Sequence, residues 1–102
     1  MDKSYLRELI EEATIDCYDE DEAFWGIFAA LEELPFPFQA TALGDPVKIT
    51  DLAQKSSLRR GVMVELEKQG RTYAFPLSEL DVTELEGDTA AWVAAYQLWS
   101  DS

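Results

Sequence analysis

The side chains with the densest chemistry in this sequence are carboxylates. Asp16, Asp19, Glu20, Asp21 and Glu22 place five of them in seven positions. Oxygen donors at that density suit a hard cation such as calcium, which takes about six to eight oxygen ligands in tolerant geometry. A second pair, Glu32 and Glu33, falls in the last turn of an expected helix, where the negative end of the helix dipole disfavours carboxylates and calls for compensation. At about 1.5 Å and 100° per residue, Glu33 lies on nearly the same face as Glu22 but roughly 16 Å further along the axis. One ion cannot take both, so two acidic loci are expected, the second completed by Asp45 or by the segment 81–88. The plainer alternatives are helix capping for the first group and an exposed, ligand-free pair for the second. An EF-hand does not fit. A twelve-residue loop from Asp16 puts Asp21 at the Gly position and Ile27 at the Glu position, and one from Asp19 puts Phe24 and Ala30 there.

Most other chemistry is excluded by the same inventory. The chain has no His and one Cys, so the commonest general base and zinc ligand are missing and neither a disulfide nor a Cys-based metal site can close. Cys17 and Ser78 have no imidazole to activate them; they read as a small packed residue and a turn cap. The five glycines, Gly26, Gly44, Gly61, Gly70 and Gly87, are scattered, which leaves no phosphate-binding loop or dinucleotide fingerprint. A carboxylate pair can serve glycoside cleavage, but a chain of 102 residues has little room for the sugar cleft that reaction needs. No enzyme is expected.

The net charge is −13, from 21 acids against eight bases, a field that repels phosphate backbones and anionic lipid, so neither nucleic acid nor membrane is an expected partner. Both ends are acidic: residues 1–34 hold eleven acids and two bases, and residues 81–102 hold five acids and no base. The N-terminus has no basic and apolar leader pattern, and no run has the length of a membrane span. A cytoplasmic protein, one domain over residues 1–102, is expected.

The elements that position these acids follow from periodicity. Ser4 to Ala13 has Leu6, Leu9, Ile10 and Ala13 at helical spacing, with Ser4 as cap and Arg7 placed to pair with Glu11. A second helix is predicted from about residue 19 to 34, burying Phe24, Ile27, Phe28, Leu31 and Leu34, and Pro35 and Pro37 end it. The period then changes to two. Strands are predicted at Phe38–Leu43 and Val47–Leu52 around a Gly44-Asp45-Pro46 turn, and a hairpin pairs Gly61–Lys68 with Arg71–Phe75 through Gln69-Gly70. A tight helical turn at 76–80 leads to a short extended piece, Asp81–Leu85, and a terminal helix over Thr89–Ser100 carries an aromatic stripe. The expected fold is α+β: a small five-stranded SH3-like curved sheet or barrel with N-terminal helices and a C-terminal helix.

The run Ile15 to Glu22, then Gly26, Leu31-Glu32-Glu33-Leu34, Pro35-Phe36-Pro37-Phe38-Gln39-Ala40, Tyr73 to Leu80, and the closing Trp92, Ala95, Tyr96 and Trp99 together resemble the cyanobacterial CcbP-type calcium-binding proteins. The proline–phenylalanine run is the most specific element. The resemblance spans residues 15–100, and the helix from Ser4 to Ala13 has no counterpart in the pattern. It implies a small acidic protein that binds calcium without EF-hands, an intracellular buffer acting in signalling during heterocyst differentiation. It also implies that Asp16, Glu22, Glu32 and Glu33 are the shared acids, whereas Asp19, Glu20 and Asp21 fall where relatives vary.

Two functions from different classes remain. The first is calcium binding through Asp16, Asp19, Glu20 and Glu22 at one end of the second helix and Glu32, Glu33 and Asp45 at the other. The second is an acidic SH3-like interaction module, an inhibitor, immunity protein or DNA mimic, docking a basic protein partner.

Overall fold

A computed structural model describes residues 2–54 and 56–101. Helix α1 spans Lys3–Ala13, and Asp2 rather than Ser4 caps it, its carboxylate accepting the Ser4 N–H at 2.9 Å. A carboxylate at the N-cap satisfies one of the unpaired N–H groups and meets the positive end of the dipole, which a serine does less well. Among the described residues the one ion pair is Lys68–Asp45, so the Arg7–Glu11 pairing is not formed. Helix α2 is Glu20–Leu31, four residues shorter than its pattern, three of them at its end. Glu32 and Glu33 form a closing turn, and Leu34 points its side chain back into the core from outside the helix.

Four antiparallel strands follow in the order β1-β2-β3-β4: β1 Phe38–Ala42, β2 Asp45–Leu52, β3 Met63–Lys68 and β4 Arg71–Pro76. The first hairpin turns on Leu43 and Gly44, both at positive φ, instead of on Gly44-Asp45-Pro46; Ala42 pairs directly with Asp45, which already belongs to β2. Two consecutive left-handed residues match the twist of a tight hairpin. The second hairpin turns on Gln69-Gly70 as its sequence predicts. A 3₁₀ turn, Leu77–Glu79, is entered from Pro76 without a side-chain cap, so Ser78 has no capping role. Helix α3 runs Gly87–Ser100.

The expected fifth strand is reduced to one bridge, Asp81 opposite Thr41. The cause is local: Asp81 Oδ1 accepts both the Thr83 N–H and the Thr83 hydroxyl, which turns the chain away after a single pairing. The sheet therefore stays open and does not close into an SH3-like barrel.

The open sheet buries one face under the helices. Ile49, Val64 and Leu66 from the sheet meet Phe24, Ile27 and Leu31 of α2 and Val93 and Tyr96 of α3. Leu6 and Leu9 of α1 pack separately on Ala91 and Ala95 of α3. The aromatic stripe of α3 is core, with Tyr96 buried and Trp92 and Trp99 packed against the same cluster. Gln97 ties α3 to the 3₁₀ turn, its amide donating to the carbonyls of Leu77 at 3.1 Å and Leu80 at 2.7 Å. The end of α1 lies directly on α2 at Gly26, where a Cβ would come within 2.4 Å of the Ala13 carbonyl oxygen. Among the described residues, no helix is long and apolar enough to cross a membrane.

Candidate functional site

The first acidic locus is the connector between α1 and α2. Thr14 closes α1, with its hydroxyl donating to the Ile10 carbonyl at 2.8 Å, and the Cys17 N–H returns to the Thr14 carbonyl at 3.0 Å. Asp19 then caps α2: its Oδ1 accepts the Glu22 N–H at 2.8 Å, while Glu22 Oε2 reaches back to the Tyr18 N–H at 2.9 Å. This is the reciprocal logic of a capping box shifted by one residue. The Cys17 thiol donates to the Glu22 carbonyl at 3.3 Å and lies beside Gly26, the packed role its sequence suggests.

Capping engages one oxygen of Asp19 and one of Glu22. A carboxylate has about four lone-pair sites, so both residues retain acceptors for a cation. Asp16, Glu20 and Asp21 are exposed beside them. Every donor in the group is oxygen apart from the single thiol, which fits a hard cation and no soft one. Among the described residues, no three Asp, Glu or Cys side chains converge closely enough to hold one ion. Mutual repulsion among the carboxylates opposes their convergence when no counter-charge is present.

The second locus lies at the other end of α2, about 15 Å along the axis from Glu22 to Glu32 at the usual helical rise. Glu32 is the C-cap residue, and Glu33 follows it in the closing turn. Glu32 lines a cavity of about 250 Å³ with Phe28, Leu52, Gln54 and Asp51. Asp51 is the acid that sequence reasoning missed. It stands near the end of β2, with Oδ1 accepting the Leu52 N–H at 2.8 Å, and no spacing rule links it to a residue 19 positions earlier.

Asp45 is not brought to this locus. It opens β2, six residues from Asp51, which at the rise of a strand places it about 20 Å away, and its carboxylate pairs with Lys68 at 2.6 Å. Both partners are substantially exposed, so the pair contributes at most about 1 kcal/mol. Two acids of segment 81–88 also lie elsewhere. Asp81 and Glu84 flank the outer edge of β1, where Glu84 accepts the Thr41 hydroxyl at 3.3 Å. The hydroxyl of Thr83, then its N–H, hold the Asp81 carboxyl below the usual carboxylate range.

A family model for CcbP-type proteins, described as calcium binding, matches residues 7–100. The match begins inside α1, so the first helix, which lacked a counterpart in the sequence pattern, belongs to the shared unit. The crystal structure of Anabaena CcbP superposes with a TM-score of 0.77 at 20% identity, covering 98% of this chain and 91% of that one. A structure described as a calcium binding protein in the calcium-binding form gives 0.78 at 22% identity, with the same coverage. At these identities the likeness demonstrates a common fold. Comparison with curated protein sequences gives no match.

Proposed function

The chain belongs to the CcbP-type calcium-binding family, and from that premise we propose that it is a cytoplasmic calcium buffer with two carboxylate loci, one at each end of α2. The observation that carries this reading is the placement of acids by a single rigid helix. Asp16, Asp19, Glu20 and Glu22 gather at its start and Glu32 and Glu33 at its end, too far apart to share an ion. The first locus draws its ligands from the connector, whose backbone carbonyls and water complete the shell; the second draws on Asp51 beside Glu32. Asp45, held by Lys68 at the far end of β2, stays outside both.

Each ion relieves repulsion among like charges in a chain of net charge −13, so binding and stability are linked by mass action. The protein acts by binding and carries out no reaction of its own. Any signalling role rests on the altered charge of the two ends of α2 when calcium is bound.

The test is an isothermal calcium titration of chelator-stripped protein at about 0.15 M salt, near physiological screening, with magnesium as competitor. Saturable uptake of one or two ions is expected. D16N/E22Q removes one class of binding and E32Q/E33Q the other. If both double variants titrate like the parent chain, or if magnesium abolishes a non-saturating uptake, the two-locus reading is wrong.

A further inference from the structure

Arg59 and Arg60 are anomalous in a chain with 21 acids and eight bases. They are adjacent and exposed, and among the described residues neither forms an ion pair. Their position is built. The turn from Ser57 to Gly61 is closed by the Gly61 N–H donating to the Ser57 carbonyl at 2.7 Å, and the Arg60 N–H donates to Ser57 Oγ at 3.1 Å. Gly61 has φ +81°, and a Cβ there would come within 2.7 Å of Tyr96 Oη. That same hydroxyl accepts the Val62 N–H at 2.8 Å, which pins the turn to α3.

The two arginines line a pocket of about 380 Å³, with Ser78 as a further donor and the partly exposed Trp99 as its aromatic surface. We propose that this pocket is an anion site that takes the phosphoryl group of a small organic phosphomonoester. Guanidinium forks match phosphate oxygens bidentately, and a serine hydroxyl adds a third kind of donor. The volume falls in the range of small-molecule sites, about 300–1,000 Å³, and exceeds what a bare phosphate fills. The Trp99 ring meets the organic part of the ester.

Glu20 and Asp101 line the same pocket and oppose an anion. Glu20 also belongs to the acidic group at the start of α2, so calcium held there cancels part of that opposition; this coupling rests on the calcium reading above. Linkage then makes the effect reciprocal: calcium tightens phosphate binding, and phosphate tightens calcium binding by the same factor. Charge coupling of this kind under physiological screening is a few-fold effect, and it grows at low salt.

The experiment is a titration of the ¹⁵N-labelled full chain with phenyl phosphate and, separately, inorganic phosphate, against sodium chloride of equal ionic strength, in chelator and then in calcium. Expected are saturable shifts of the Arg60, Gly61 and Ser78 amides and the Trp99 indole, stronger for phenyl phosphate, absent in R59Q/R60Q and tightened by calcium. Both substituted side chains are exposed, so the variant keeps the fold, which its remaining amide spectrum verifies. No saturation, or an unchanged response in R59Q/R60Q, overturns the anion site. Equal binding of the two phosphates overturns the preference for an ester. Calcium shifts at Asp19 to Glu22 without phosphate binding defeat the anion site alone, and phosphate binding without calcium shifts defeats the calcium locus alone.

Discussion

Replacing Gly26 by Ala sets two physical effects against each other. In an exposed helix interior the substitution stabilises by about 0.8–1 kcal/mol, because alanine loses less backbone entropy than glycine. At this position the added Cβ lies 2.4 Å from the Ala13 carbonyl oxygen and 3.2 Å from the Cys17 sulfur. Overpacking of this kind costs about 1–3 kcal/mol, and the atom met is backbone, which cannot rotate aside like the end of a side chain. With the cost near the upper end of that range the clash wins, and G26A is expected to lose about 2 kcal/mol net, a fall in Tm of about 8–16 °C for a domain of this size. Thermal unfolding followed by circular dichroism in chelator reads the shift directly. Because the displaced backbone is the end of α1 and the connector after it, the two-locus proposal expects G26A to weaken calcium binding near Asp19 and to leave binding near Glu32 unchanged. A Tm equal to or above that of the parent chain would refute the close approach of α1 to α2.

Two further outcomes are expected. In Y96F the Val62 N–H loses its buried acceptor, which costs about 1–3 kcal/mol and is measured as a lower urea midpoint. Burial pushes the Tyr96 phenol above its ordinary value of 10.0 against the opposing Val62 bond. Its contribution is thus complete below about pH 10 and fades as pH rises through the native value, and Y96F lacks that alkaline decline. The Asp81 carboxyl is lowered from 3.8 by the Thr83 hydroxyl and N–H. Its stabilisation is present above about pH 4 and lost as pH falls through the native value, so D81N flattens the acid limb of the stability profile; an identical acid limb in the variant would count against the Asp81–Thr83 turn.

Much of this protein is legible in one dimension because its determinants are local. Amphipathic periodicity sets α1 and α2, Gln69-Gly70 sets the second hairpin, and a run such as Asp16 to Glu22 announces oxygen-donor chemistry wherever it sits. The closing proline–phenylalanine and aromatic segments carry the family pattern for the same reason. The capping partners of Asp19 and Glu22 lie within four residues of each other and follow from the helix start alone.

What the tertiary structure decided is non-local. An extended run at Asp81 has strand-like residues, yet whether it pairs depends on the competing bond from its own carboxylate to Thr83, and that bond leaves the sheet open. Asp51 joins Glu32, and Asp45 goes to Lys68, because the register of β2 sends its two ends to opposite sides of the molecule. The Arg59–Arg60 turn faces Glu20 and Ser78 only because Tyr96, from a helix more than thirty residues later, holds it there. Sequence specifies which charges are present and which local element carries each; which charges share a pocket is set by packing between elements, where chain separation carries no information about distance.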